Sequence, residues 1–185
     1  MRAALDRFYR MTQWLSGLCL ISIGLLVLAQ ILGRILDSVL KLVGLQPAGL
    51  VILSLSEIAG YLLAAATFLA LAGTLKAGAH IRVTMLLGAV GDTRRRHFEI
   101  LAFAATAAFC AYMTWYVSGL AYDSWRNNEI SPGLIPVPLV WPQAAMAAGL
   151  VAMTLALVDE TITVITEGRP SFRAAEDAAT LGKEG

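Results

Sequence analysis

Four apolar stretches, each long enough to cross a lipid bilayer as a helix, dominate this sequence. They run over residues 14–33, 50–75, 100–121 and 137–158, and only the second contains a charged residue, Glu57. A helix needs about 20 apolar residues to cross the hydrocarbon core, and no other part of the sequence is long enough. The chain is 58% hydrophobic and 15% charged, whereas a soluble domain usually has about 25% charged residues. The sequence therefore predicts an all-α integral membrane protein with four transmembrane helices.

The first stretch is predicted to remain in the protein as a membrane span. Arg2, Arg7 and Arg10 precede it, as positive residues precede the apolar part of a secretory signal. The stretch is 20 residues long, however, and Arg34 follows it instead of a small-residue cleavage site. We therefore expect an N-terminal segment over residues 1–13, a four-helix membrane domain over residues 14–160, and a charged, mobile tail over residues 161–185.

The positions of the positive charges predict the orientation in the membrane. Eleven Lys and Arg residues lie before the first span, after the second span or in the tail, and three lie in the other two connections. Because positive residues accumulate in cytoplasmic segments, both termini are expected to be cytoplasmic. The net charge of +1 gives no basic field that would favour nucleic acid.

Two groups of residues are expected to fix the protein at the membrane surfaces. Arg94, Arg95 and Arg96 are predicted to anchor the topology and to bind anionic lipid headgroups, each contributing about 1 kcal/mol. Tryptophan favours the level of the headgroups, and this placement is expected for Trp14, Trp125 and Trp141.

The connections between the spans contain more than polar linkers. "RILDSVLKLVGLQP" and "HIRVTMLLGAV" are each interpreted either as a short interfacial helix or as a loop packed on neighbouring protein. The third connection, "SWRNNEISPGLIPVPLVWPQ", contains four prolines, which predict a stiff and extended backbone. Such a loop is either a docking surface for a soluble protein or only a rigid turn.

Small residues predict helix packing in the third and fourth spans. Close approach through small side chains is a main way in which helices associate in a bilayer. We expect these surfaces to pack on helices of this chain or of a partner: Ala104, Ala108 and Ala111 in one span, and Ala145, Gly149 and Ala152 in the other.

The sequence offers little support for catalysis. The two histidines, His80 and His97, lie in the cytoplasmic connection rather than within spans, where haem ligands would be needed. No cluster of His, Cys and acidic residues has the spacing of a metal site, and no glycine-rich phosphate loop is present. Cys19 and Cys110 lie in apolar runs and are expected to be small packed side chains. No cofactor is predicted.

Glu57 and His80 have two interpretations each. A carboxylate within a span has a functional role by default, so Glu57 is expected either at an interface or subunit contact, or as a proton-coupling group. Because it lies near one end of a 26-residue run, the contact is favoured. His80 is expected to donate to unpaired carbonyls at the end of the second span, in preference to ligation.

Three ordered motifs give the chain a family resemblance. An acidic residue opens the second span, "SEIAGYLLAAATFLALAGTLKAG"; "HIRVTML" follows it; and "SPGLIPVPLVWPQ" leads into the fourth span. Over roughly residues 10–160 this pattern resembles the small membrane subunit, DctQ or Q, of tripartite ATP-independent periplasmic (TRAP) transporters. One position differs. The family commonly has an acidic residue directly after, or two places after, the valine of "HI-x-V", and here Thr84 follows Val83. A role of that acid cannot be transferred to this chain.

The resemblance implies a scaffold subunit, not an enzyme, in a bacterial inner membrane. It implies a large membrane subunit that carries the sodium and substrate sites, and a periplasmic binding protein that delivers an organic acid. No substrate site is then expected in this chain. Contacts to a subunit or the membrane interface are expected at Glu57, His80 and Arg82, and a loop that helps to dock the binding protein is expected around Arg126, Pro132, Pro136 and Pro138. The alternative is a self-sufficient small transporter in which Glu57 is the coupling carboxylate.

Overall fold

The structure, a computed structural model, describes residues 2–78, 92–168 and 170–171. Four helices make up most of these residues: α1 (Arg2–Leu42), α2 (Leu55–Lys76), α3 (Asp92–Asn127) and α4 (Val140–Glu167). All four are long and apolar enough to cross a membrane. The described residues contain no strand, only an isolated β-bridge between Ile130 and Pro138. The prediction of an all-α membrane protein with four spans is confirmed.

α1 and α3 extend beyond both ends of the apolar stretches from which they were predicted, whereas α2 and α4 begin five and three residues after the start of their stretches and end beyond them. α1 has 41 residues and is therefore about 60 Å long, twice the thickness of a hydrocarbon core. It continues through residues 35–42, so this part of "RILDSVLKLVGLQP" is helical but is not a separate interfacial helix. Gly44 then ends the helix with a left-handed φ of 76°, and the Leu45 N–H donates to the Leu40 carbonyl at 2.9 Å. The stretch "HIRVTMLLGAV" lies outside the described residues.

α2 and α4 form the middle of the bundle. α1 packs against α2, α2 packs against α4, and α4 packs against α3, while α1 and α4 make few contacts. α4 is accordingly the most buried helix, and α1 and α3 are the most exposed. We name the two ends of the bundle after the charged residue that each contains. The Lys76 end holds the start of α1 and the end of α2, and the Glu57 end holds the start of α2 and the end of α1.

Small residues allow α2 and α4 to approach closely. Ala72, Ala152 and Ala156 are 0% exposed, and Gly149 packs directly on the backbone of Phe68 in α2. The small surface predicted in the fourth span is therefore used within this chain, with Gly149 and Ala152 buried and Ala145 half-buried.

The small surface predicted in the third span is not covered by the other helices. Ala104, Ala108 and Ala111 are all exposed on α3. Contact between α3 and α4 instead includes Thr114 and Thr154, whose hydroxyl oxygens lie 3.3 Å apart.

The connection between α1 and α2 runs back along α1. The Gly49 N–H donates to Asp37 Oδ1 at 3.1 Å, and the Ile52 N–H donates to Gln30 Oε1 at 2.7 Å. Gly33 packs against the Leu50 carbonyl, which lies 2.7 Å from the position that a Cβ would take. Residues 45–52 have neither helix nor strand structure, so these side-chain bonds hold them in place.

Candidate functional site

Lys76, the last residue of α2, is paired with two acidic residues of α4. Its Nζ donates to Glu160 Oε1 at 2.7 Å and also to the carboxylate of Asp159. The side chain of Glu160 is 0% exposed, and those of Lys76 and Asp159 are 18% and 21% exposed. A buried carboxylate is very costly without a partner of opposite charge, and the ammonium group of Lys76 provides that partner.

The chain that follows α4 returns to the same carboxylate. Gly168 ends α4 with a left-handed φ of 78°, and its N–H donates to the Val164 carbonyl at 3.1 Å. The Ser171 N–H then donates to Glu160 Oε2 at 3.0 Å, and the Ser171 hydroxyl donates to Glu160 Oε1. Both oxygens of Glu160 therefore accept hydrogen bonds.

Tyr9 brings α1 into contact with this group. The residue is 3% exposed, and its ring centroid lies 5.7 Å from Lys76 Nζ, within the range of a cation–π contact. Its hydroxyl oxygen is buried and has no hydrogen-bond partner among the described residues. Lys76, Asp159, Glu160, Ser171 and Tyr9 are called the Lys76 cluster below. The cluster connects α1, α2, α4 and the chain after α4.

The geometry of the Lys76 cluster fits a structural tie between helices. Its acidic groups bond to a lysine and a serine of the same chain. Among the described residues, no group of three or more His, Cys, Asp and Glu side chains is arranged to hold a metal ion.

The Lys76 cluster is not among the sites predicted from the sequence. The fourth apolar stretch ends at Val158, directly before Asp159 and Glu160, and Lys76 begins a connection that is predicted to be cytoplasmic. The signal was present nevertheless. A lysine ends one apolar stretch, two acids end another, and the topology places both ends on the same side of the membrane.

Glu57 lies in the first turn of α2 and is half-buried. The Tyr61 hydroxyl donates to Glu57 Oε1 at 2.9 Å. Gly133, in the loop between α3 and α4, lies so close that a Cβ there would overlap Glu57 Oε2. The loop is also held by Ser54, whose Oγ accepts the Ile135 N–H at 3.2 Å. Glu57 therefore lies directly against the loop between α3 and α4.

Internal hydrogen bonds, in addition to prolines, shape this loop. The Ser131 N–H donates to the Val137 carbonyl at 2.9 Å, and the Leu139 N–H donates to the Glu129 carbonyl at 3.0 Å. The side chain of Glu129 in turn accepts a bond from the Ser124 hydroxyl at 2.6 Å. Three predicted site residues of the loop, Pro132, Pro136 and Pro138, are exposed, and so is Arg126 in the last turn of α3.

The predicted anchors are placed as follows. The tryptophans Trp14, Trp125 and Trp141 are all exposed. Arg96 is exposed on α3, and its Nη2 donates to the Ile165 carbonyl at 2.6 Å. The backbone of α3 includes Arg94 and Arg95, whose side chains are outside the described residues, as are His80, Arg82 and Thr84.

Comparison with known families identifies the class of protein. The family model described as the DctQ component of tripartite ATP-independent periplasmic transporters matches residues 48–167. The chain belongs to the DctQ family. The matched range includes α2, α3 and α4. It therefore contains Glu57, both acids of the Lys76 cluster and the loop between α3 and α4. No curated protein matches the chain. DctQ proteins are a transporter component, not an enzyme family.

Proposed function

We propose that this chain is the stationary scaffold subunit of a sodium-driven TRAP transporter that imports an organic acid. The observation that carries the proposal is the DctQ family match, which makes the chain one component of a tripartite membrane transporter. In this proposal a large membrane subunit holds the sodium and substrate sites, and a periplasmic binding protein delivers the substrate. The small subunit anchors the large one in the bacterial inner membrane.

The bonding of the charged residues supports a scaffold in preference to a transport pathway. Lys76 and Glu160 form an ion pair with each other. Glu57 accepts a hydrogen bond from Tyr61 and lies against Gly133 in the loop between α3 and α4. Groups that bind and release an ion during each cycle need room to exchange their partners. A scaffold needs the opposite, because a moving transport domain requires a support that does not deform.

The loop between α3 and α4, which lies against Glu57, is proposed to help dock the binding protein. Its backbone is held by its own hydrogen bonds, while Arg126 and Pro132 face outward. A surface that is already ordered loses little conformational entropy when a partner binds. Glu57 is thus a support for this docking loop, in contrast to the coupling role of the alternative hypothesis.

Glu57→Gln distinguishes the two roles. We expect the complete three-component transporter with this variant to retain sodium-driven uptake within about twofold of the unchanged protein, since the amide oxygen can still accept the neutral hydrogen bond from Tyr61. Uptake is measured in proteoliposomes. The matched control is Tyr61→Phe, which removes the hydroxyl that donates to Glu57 and keeps the carboxylate. Abolished uptake in an assembled E57Q complex would instead favour coupling. Sodium-dependent uptake by this chain alone would overturn the scaffold proposal.

The proposed orientation places both termini in the cytoplasm. Ser38 and Asn127 are both exposed at the Glu57 end. In a C19A/C110A background, a single cysteine at either position is expected to react with a membrane-impermeant maleimide when the outer membrane of the cells is permeabilised and the inner membrane is intact. A cysteine at Arg95 is expected to react only after the inner membrane is opened. Labelling is read as a mass shift on a gel. Reaction of the Arg95 position in intact cells, or protection of the other two, contradicts this orientation.

A further inference from the structure

One side of α1 carries an unbroken line of large apolar side chains. The line consists of ten positions between Met11 and Leu42, separated alternately by three and four residues, and each holds Met, Trp, Leu, Ile or Val. They are residues 11, 14, 18, 21, 25, 28, 32, 35, 39 and 42. Each of these ten side chains is 50–86% exposed. We call this line of residues the α1 seam. A repeat of 3.5 residues is the spacing at which one helix can pack along another over many turns.

The opposite side of α1 has the same repeat and is already occupied. Its positions are separated alternately by four and three residues from Leu5 to Leu40, and each is buried or half-buried. This side faces α2: the Ser16 hydroxyl, for example, donates to the Ala66 carbonyl at 2.8 Å. Helix α1 therefore has two packing surfaces, one of which has no partner within the described residues.

Part of the α1 seam lies beyond the reach of lipid tails. The connection between α1 and α2 is irregular and exposed over residues 45–51, yet it runs beside α1 as far back as Gln30. Lipid-exposed irregular backbone does not occur in the hydrocarbon core, so α1 leaves that core near Gln30. The remaining residues to Leu42 extend it by about 18 Å.

The protruding part is apolar at every seam position and mixed off the seam. Its exposed positions off the seam are three polar residues, Arg34, Ser38 and Lys41, as expected for a helix in water or headgroups, and two apolar ones, Ile31 and Leu36. The seam stays apolar at the same level, with Val39 50% and Leu42 86% exposed. An amphipathic helix reaches lipid by lying flat in the interface, but this segment continues a spanning helix that contains no proline. Another protein is therefore needed to cover it.

A single occupant of the whole seam must itself cross the membrane. The seam begins at Met11, near the Lys76 end, and ends at Leu42, past the Glu57 end. A soluble binding protein could reach only the protruding part. The DctQ family contributes one component to a tripartite transporter, and in the proposed function the other membrane component is the large subunit. The family match starts at residue 48, so this surface is a feature of α1 that the match does not include.

We propose that the α1 seam binds one long apolar transmembrane helix of the large membrane subunit, including its extension beyond the hydrocarbon core. This proposal rests on the proposed function, because that function supplies the large subunit. The seam is then the face on which the scaffold holds its partner, while α2 holds the opposite side of α1.

Photo-crosslinking in the complete transporter tests the face. The crosslinking residue p-benzoylphenylalanine replaces Leu28 or Val39 on the seam, and Leu20 or Lys41 as matched exposed positions off the seam. We expect adducts with the mass of the large subunit at both seam positions, at least fivefold more abundant than at the two controls. Adducts equally abundant off the seam overturn the proposal. So do adducts between two copies of this chain, adducts to the binding protein at Val39 alone, or adducts to lipid only.

A second measurement separates this proposal from the proposed function. With an affinity tag on this chain, the large subunit is expected to co-purify with the unchanged protein. Val39→Lys should reduce its recovery about tenfold, since it buries an unpaired charge in the contact, whereas Ser38→Lys should change it less than about twofold. If the large subunit does not co-purify with the unchanged chain, the proposed function fails. If it co-purifies equally with all three, only the assignment of the face fails.

Discussion

Replacing Lys76 with methionine is expected to lower the free energy of unfolding by about 3–5 kcal/mol, the range found when one partner of a buried ion pair is removed. The reason is the position of Glu160, which is 0% exposed and takes its positive partner from Lys76 at 2.7 Å. Methionine fills similar space but leaves the carboxylate without that charge. The change is measured by reversible unfolding in mixed micelles, with circular dichroism as the signal.

Two further variants show whether charge is the cause. The double variant K76M/E160Q removes both charges of the Lys76–Glu160 pair and leaves only the more exposed Asp159 without its lysine. We therefore expect it to recover at least half of the loss, with Ser171 still able to donate to the glutamine oxygen. Lys41→Met removes an exposed lysine of α1 and should change stability by less than about 0.5 kcal/mol. If K76M costs no more than K41M, the Lys76 cluster does not hold the helices together.

Gly149→Val is expected to disrupt the packing of α2 on α4. A Cβ at Gly149 would lie 2.8 Å from the Leu69 backbone nitrogen and closer still to the Phe68 backbone. Backbone atoms of a helix cannot rotate away as a side chain can, so the two helices must separate. Overpacking of this kind costs about 1–3 kcal/mol for one added group. We expect Gly149→Ala to fall in that range and G149V to exceed it.

The chain supplies a matched control for Gly149. A Cβ at Gly119 in α3 meets no atom within 4 Å. Gly119→Ala should therefore be neutral, or stabilising by up to about 1 kcal/mol, because alanine favours a helix more than glycine does. Unfolding in mixed micelles and the yield of folded protein on size exclusion report both changes. Equal stability of G149A and G119A would mean that α2 and α4 do not approach as closely as the structure indicates.

The fold could be predicted from the sequence because a membrane span has a length requirement that few other segments satisfy. The helix ends could not, since apolarity reports where lipid lies and not where helical hydrogen bonding stops. The end of α1 illustrates the difference. Arg34 marks the end of the apolar stretch, but arginine is compatible with a helix, which continues until Gly44 provides a left-handed residue.

The side-chain clusters were harder to predict because their partners are distant in sequence. Lys76 and Glu160 are 84 positions apart, and they meet because α2 lies next to α4, an order of helices that hydropathy does not indicate. Glu57 could be selected by its charge alone. Its close neighbour Gly133 could not, because the contact depends on a side chain that glycine lacks.

The left-handed turn at Gly168 has a practical consequence for handling the protein. Because the chain folds back after α4, the two hydrogen-bond donors of Ser171 reach Glu160 from a point that looks, in the linear sequence, like the start of a dispensable tail. A purification handle or a fluorescent fusion joined directly to Glu167 would remove both donors from the carboxylate. The same fusion joined beyond Ser171 leaves them in place, which makes residue 171, and not the last turn of the helix, the earliest sound site for a C-terminal junction.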